Sequence, residues 1–205
     1  MVSDRSLPLD YFDRMYAANA DPWDFAGRWY EERKRAITLA SLPRPRFRRA
    51  FEPGCSVGLL TEQLAARCDE LLASDVSLVA VEAARSRLAN QPRAHVERRR
   101  VPSDWPDGDF DLIVVSEIAY YCSESDAGEL GRAVSRSLTE DGVLVLCHWL
   151  HPVDDYPLTG VTAQRLVVEA SGLDSLARHQ EADFVLDVMA RPGTPSVAAA
   201  EGLVE

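Results

Sequence analysis

From residue 50 to residue 147, short apolar runs alternate with stretches of helical periodicity, and this alternation limits the fold more than any other feature of the chain. Ala50-Phe51-Glu52 reads as a strand entering Pro53-Gly54, and residues 59–68 as an amphipathic helix with Leu60, Leu64 and Ala65 on one face. Residues 70–75 form a second strand ending in an acid, 77–90 a helix and 94–100 a third strand. Phe110-Asp111-Leu112-Ile113-Val114-Val115-Ser116 is a buried strand by its β-branched content. A helix over 126–138 stops near Glu140-Asp141-Gly142, glycine being the common helix terminator, and a fifth strand follows over 143–147. A helix near 161–171 and two strands within 175–191, the second over 184–189, complete the series. Such alternation builds a mostly parallel sheet with helices on both faces.

Upstream, aromatics at helical spacing mark a helix over 10–19, broken at Asp21-Pro22-Trp23 because proline disfavours helix in the preceding residue. A second helix runs from about Arg28 to Leu42 and is ended by Pro43 and Pro45. The chain therefore divides into an N-terminal helical segment over 1–45, a sheet domain over 46–191 and a tail over 192–205, rich in Pro, Gly, Ala and Ser, which is expected to be disordered.

Charge narrows the partners. Thirty-three acidic residues against 22 basic ones give a formal charge of −11, which repels phosphate backbones and anionic lipid. Arg44-Pro45-Arg46-Phe47-Arg48-Arg49 and Arg98-Arg99-Arg100 are local exceptions that read as solvated edges. No apolar run approaches the roughly 18 residues that cross a bilayer, and the first residues lack an apolar signal-peptide core. Cys55, Cys68, Cys122 and Cys147 are widely spaced, which fits reduced thiols better than disulfides or zinc. A cytoplasmic protein, monomeric or homodimeric, with no nucleic-acid or membrane partner, is expected.

The stretch Phe51-Glu52-Pro53-Gly54-Cys55-Ser56-Val57-Gly58 sits where the first strand turns into a helix, the place where doubly wound sheets bind nucleotides. Gly54 and Gly58 allow a tight turn and close approach of a ligand to the backbone. Asp75 ends the next strand, where an acid accepts hydrogen bonds from ribose hydroxyls. Ser116 and Glu117 end the fourth strand beside the same crevice.

In this order the features resemble the class I S-adenosylmethionine-dependent methyltransferases, over roughly residues 20–190. Glu52, Gly54 and Gly58 match the family's E/D-x-G-x-G-x-G turn, with Ser56 in place of the middle glycine. The resemblance implies a Rossmann-like sheet of seven mostly parallel strands, with a C-terminal antiparallel strand and an N-terminal helical lid. It implies that Asp75 holds the ribose and Val76 packs on the adenine. Where the family often carries an acid after the third strand, this chain has Arg100-Val101, so the adenine contact is expected through the Val101 backbone. A finer likeness is to the nodulation-protein-S-like methyltransferases, whose named members methylate an amino sugar of a chito-oligosaccharide. It rests on Asp21-Pro22-Trp23, on Trp29-Tyr30-Glu31-x-Arg33-Lys34, and on Ser116-Glu117-Ile118-Ala119-Tyr120-Tyr121. Tyr30 and Lys34 share a helix face. Lys34 is the one lysine in the chain, suited either to the cofactor carboxylate or to a solvated helix face. Trp23 serves either as a lid over the cofactor or as packing.

Methyl transfer to a hydroxyl needs a general base, whereas an amine needs only its neutral form. His148 and His151, two of four histidines, follow the fifth strand, and His148 is the expected base unless it is a structural residue of the strand end. Glu117 could orient that imidazole or act as the base itself. Tyr120, Tyr121, Trp149 and Tyr156 are expected to line the acceptor mouth, as aromatic walls suited to a saccharide. Glu117, Asp154 and Asp155 are candidate oxygen ligands for magnesium. The function expected is therefore O-methylation of a sugar or oligosaccharide hydroxyl. Its rivals are N-methylation of an amino sugar or other amine, and a catalytically silent cofactor-binding protein. The absence of an Asn/Asp-Pro-Pro-Tyr motif argues against a nucleic-acid methyltransferase.

Overall fold

The computed structural model describes residues 5–204. Two helices, α1 (Leu9–Ala18) and α2 (Trp29–Ala40), precede the sheet. There follow β1 (Phe47–Pro53), α3 (Leu59–Ala65), β2 (Cys68–Asp75), α4 (Leu78–Arg87), β3 (Ala94–Arg98) and β4 (Phe110–Ser116). A 3₁₀ turn at Ala119–Tyr121 leads into α5 (Glu124–Ser137), β5 (Leu138–Trp149), α6 (Gly160–Ser171), β6 (Asp174–Gln180), β7 (Phe184–Ala190) and α7 (Val197–Ala200).

The seven strands lie in the order β3-β2-β1-β4-β5-β7-β6. Only β7 runs against its neighbours β5 and β6; the other pairs are parallel. This is the mostly parallel sheet that the alternation predicted, and the doubly wound, Rossmann-like arrangement with a C-terminal antiparallel strand that the resemblance implied. Strand residues alternate between two cores, because successive side chains point to opposite faces. Phe51, Ile113, Val115, Leu144 and Leu146 pack with α5 and α6 through Leu130, Val134 and Val167. Phe47, Ala50, Leu112, Val114 and Val145 pack on the other face with Leu60 and Leu64 of α3. Ser123 and Thr159 cap α5 and α6 by accepting from the Asp126 and Thr162 N–H groups.

The order of strand addition reverses between β1, which leads outward to β2 and β3 on one side, and its parallel neighbour β4, which leads to β5 on the other. The C-terminal ends of β1, β2 and β4 therefore open on one crevice, at the switch point where such sheets bind ligands. Among the described residues no helix is long and apolar enough to cross a membrane.

Two expectations fail locally. Gly142 does not end a helix: α5 already stops at Ser137, and β5 runs through Gly142, where the pairing shifts from Phe110–Leu138 to Leu112–Val143. An irregular strand entrance and a helix exit carry the same small polar residues. The tail is not without structure either, since Ser196 accepts from the Ala199 N–H and caps the short helix α7.

Candidate active site

The turn after β1 holds three residues at positive φ: Gly54 at 76°, Ser56 at 50° and Gly58 at 81°. At Gly54 a Cβ would stand 2.2 Å from Ile118 Cγ2, so only glycine lets the loop from β4 close on this turn. Gly58 lies outside the cavity lining. Its Cβ position faces Ala84 of α4 at 3.1 Å, and its left-handed backbone starts α3, so its lack of a side chain serves the packing of α3 against α4. Ser56 takes a conformation that costs a non-glycine residue about 1–3 kcal/mol, and it is held there from two sides. Its N–H donates to Asp75 Oδ2 at 2.9 Å, and its hydroxyl accepts from Tyr16 Oη at 2.6 Å. Asp75 Oδ1 accepts from the Ser77 N–H at 2.9 Å. Burial pushes the Asp75 carboxyl up, and the N–H groups of Ser77, Ser56 and Val76 oppose that shift.

Around this turn lies a cavity of about 420 Å³. Glu52, Gly54, Ser56, Asp75, Val76, Val101, Ser116 and Glu117 line it from the strand ends, and Trp23 and Lys34 from the N-terminal segment. Trp23 stacks on Phe25 at 5.5 Å and meets the Tyr16 ring edge at 5.7 Å. Phe12 and Tyr16, four residues apart on one face of α1, also line the cavity, as do Glu31, Arg35 and Ile118. The first two were visible as helically spaced aromatics without a face to assign them to. Glu52 has one carboxylate oxygen buried without a partner, and burial raises its carboxyl to about 8.

At the end of β4, Glu117 sits at φ 59° and gathers three donors. Oε1 accepts from Lys34 Nζ at 2.9 Å, and Oε2 accepts from the Trp149 N–H at 3.1 Å and from the Tyr120 hydroxyl. Lys34 Nζ also donates to Glu31 Oε1 at 3.1 Å and lies 5.0 Å from the Tyr30 ring centroid. Burial alone would lower the Lys34 ammonium, but Glu117 and Glu31 outweigh it and hold the group above its ordinary range. Lys34 is therefore a paired, enclosed cation and not a solvated one. Tyr30 stays outside the lining, its hydroxyl buried without a partner and its ring against Trp149.

The aromatic mouth is corrected. Tyr121 lines the cavity; Tyr120, Trp149, His151 and Tyr156 do not. Tyr120 is buried and stacks on Tyr156 at 5.0 Å, and His151 is exposed and paired with Asp183 at 2.7 Å. His148 is the main correction: it is 0% exposed and outside the lining. The expected strand end was two residues short. β5 continues to Trp149 and pairs His148 with Val185 of β7, which turns the ring into the core beneath α6. There Nδ1 donates to Gln164 Oε1 at 2.7 Å and Nε2 accepts from the Ala119 N–H at 3.2 Å. Burial lowers its affinity for a proton. An imidazole so enclosed cannot reach an acceptor. The magnesium expectation also lacks a ligand set: Asp154 and Asp155 are exposed residues outside the cavity, and among the described residues no three acidic, His or Cys side chains are placed to hold a metal.

Residues 10–147 match the family model described as Nodulation protein S (NodS). The nodulation protein S of Rhizobium tropici is 36% identical over 160 residues, which are 70% of this chain and 64% of that protein. That of Sinorhizobium fredii is 32% identical over 108 residues, 52% of this chain and 50% of its own length. The chain thus matches about two thirds or less of the curated relatives it resembles. Among solved structures, a candidate methyltransferase from Pseudomonas syringae is 46% identical, with a TM-score of 0.72, covering 80% of this chain and 100% of that one. The N-methyltransferase NodS of Bradyrhizobium japonicum, in complex with S-adenosyl-L-homocysteine, shares the fold at 24% identity and a TM-score of 0.76, covering 90% and 98%. The family model covers more than half of the chain and the fold matches that of these structures, so the chain belongs to the nodulation protein S family of class I S-adenosylmethionine-dependent methyltransferases.

Proposed function

We propose that this chain transfers a methyl group from S-adenosylmethionine to an amine on a small polar acceptor, an amino sugar being the acceptor that the family resemblance implies. The residues present suit that cofactor. Asp75 borders the cavity with lone pairs to spare for ribose hydroxyls, and Val76 and Val101 offer apolar surface for an adenine. Glu52 brings an unpartnered carboxyl oxygen to the turn. When bound, the cofactor supplies a sulfonium methyl already activated for in-line displacement. The protein has then to align the nucleophile and exclude water. The strand ends and the aromatic N-terminal segment, with Trp23, Tyr16 and Phe12, suit both tasks.

The observation that carries the amine reading is the enclosure of His148. A neutral hydroxyl needs a base to take its proton as the methyl arrives, and the histidine expected for that step lies in the core. The remaining carboxylate at the strand end, Glu117, already accepts from Lys34, Tyr120 and the Trp149 backbone. A neutral amine carries its own lone pair and needs no base at the moment of transfer; acidic walls attract its protonated form, which gives up its proton before it reacts. The net charge of −11 favours such a cationic small molecule over nucleic acid. The four cysteines are buried and unpaired, which supports a reducing, cytoplasmic setting.

Labelled methyl transfer to glucosamine oligosaccharides with and without a free amine tests the reading. Transfer is expected only to the free amine, rising with pH as its neutral fraction grows. Equal labelling of the fully N-acetylated oligosaccharide would return the hydroxyl as acceptor. Tight S-adenosylhomocysteine binding with no transfer to any acceptor would favour the catalytically silent alternative.

A further inference from the structure

A line of buried polar groups crosses the core behind the cavity. His148, Gln164 and Asp187 are each 5% exposed or less, and they come from β5, α6 and β7. The Ala119 N–H is a donor, so His148 Nε2 must accept from it at 3.2 Å, and the ring proton must sit on Nδ1. Nδ1 donates to Gln164 Oε1 at 2.7 Å, which turns the Gln164 amide nitrogen toward Asp187 Oδ2, also at 2.7 Å. The second Asp187 oxygen faces the Arg178 guanidinium at 3.6 Å. Every donor in the line points the same way, from a backbone amide to a charged carboxylate.

What the line holds is the loop that forms the cavity wall. Ala119 opens the 3₁₀ turn; Ile118 before it rests on Gly54, Glu117 before that binds Lys34, and Tyr121 after it lines the cavity. The segment leaves β4 through a left-handed non-glycine residue, Glu117, a conformation that persists only where its surroundings enforce it. The Ala119 N–H is deep in the core, and His148 is its partner.

We propose that His148 is a positioning residue: as the neutral Nδ1–H tautomer it anchors Ala119 and so sets Ile118, Glu117 and Tyr121 against the glycine turn. The link to cofactor affinity rests on reading the cavity as the S-adenosylmethionine site; the anchor itself does not. A proton added at Nε2 would set two N–H donors against each other and release the turn. The groups facing the ring are Glu117 and Tyr120 from the β4 side, Lys34 from α2, Gln164 from α6, and Asp187 of β7 with Arg178 of β6 behind it.

The test uses the full chain and two substitutions that divide the imidazole's tasks. His148→Gln can present an oxygen near the Nε2 position, whereas His148→Asn can donate to Gln164 but leaves the Ala119 N–H unpartnered. With S-adenosylhomocysteine as the probe, calorimetry is expected to find affinity about 3–10-fold weaker in His148→Asn, the size of one lost buried hydrogen bond. His148→Gln is expected within about twofold of the native chain, well inside the weight of one such bond. Acidification should weaken binding more steeply in the native chain than in His148→Gln. Nitrogen-15 NMR of the native chain should find the His148 proton on Nδ1, and the Ala119 amide resonance should move in His148→Asn and stay in His148→Gln. A proton on Nε2, or an Ala119 resonance and affinity indifferent to both substitutions, would overturn the proposal. If His148→Asn does not fold, the tautomer in the native chain still decides. If the native chain does not bind S-adenosylhomocysteine, the cofactor reading fails, and the tautomer and the Ala119 resonance still judge the anchor.

Discussion

Glu52 enters the cavity floor from β1 with its carboxyl raised to about 8 by burial. Below its ordinary value of 4.5 the folded and unfolded chains both hold this proton. Above that value the unfolded chain releases it while the folded chain keeps it. The associated stability is thus fully present below about 4.5 and lost as pH rises toward 8. Glu52→Gln, neutral at every pH, should remove the loss: thermal denaturation of the free protein should find the variant gaining on the native chain from pH 5 to pH 8. Parallel melting curves would place a charged Glu52 in the folded state. At Asp75 the expected effect is on affinity. Asp75→Ala should weaken S-adenosylhomocysteine binding by about 1.5–3 kcal/mol in calorimetry, the worth of hydrogen bonds to a charged group, while the protein stays folded. Asp75 was legible because a strand-ending acid after a glycine turn has a known geometry. Lys34 stood out as the lone lysine, but its pairing with Glu117 spans 83 positions and leaves no local sign. His148 was misread because two further residues of strand, His148 and Trp149, pair with β7 and keep the ring in the sheet.

Helices α5 and α6 approach so closely that a Cβ at Gly131 would lie 2.4 Å from the Val167 carbonyl oxygen and 2.9 Å from Ala170 Cβ. Gly131→Ala sets a helix-propensity gain of about 1 kcal/mol against a clash with backbone that cannot swing aside. The helices must part, and overpacking of this kind costs about 1–3 kcal/mol or more. Chemical denaturation should find the variant less stable than the native chain. An equally stable variant would mean that the two helices have slack. Elements of this kind were legible where burial is one-sided or complete, as in α5 and β4, because periodicity and β-branching then agree. They were illegible where a strand begins irregularly: Glu140-Asp141-Gly142 reads as a helix end, and β5 already passes through it.

Across the molecule, the N-terminal segment is tied to the sheet domain at points far apart in sequence. The Leu7 N–H donates to the Tyr121 carbonyl at 2.8 Å, and the Ser123 N–H donates to Ser6 Oγ at 2.8 Å. Arg33 forms a two-pronged pair with Glu181 in the turn between β6 and β7. Since Phe12, Tyr16, Trp23 and Lys34 form one wall of the cavity, an occupant should tighten the whole segment. Hydrogen exchange over residues 10–34 should slow when S-adenosylhomocysteine is added; unchanged exchange would make the segment fixed packing and not a lid. The fold was legible because three features fall in a fixed order along the chain. The N-terminal segment was expected over the site from the resemblance, but its particular contacts were not legible, since they join residues 6–38 to strand ends that approach them only after the sheet has formed.

The enclosure of Lys34 has a practical consequence. A lysine-specific endoprotease has one cleavage site in this chain, the Lys34–Arg35 bond, and that bond lies within α2 with the lysine side chain gripped by Glu31 and Glu117. A protease needs an extended strand in its cleft, so the cut waits for α2 to unwind or leave the sheet domain, and its rate follows the population of that open form. Each chain can be cut there only once, into residues 1–34 and 35–205, and the appearance of the larger piece on a gel clocks the opening of α2.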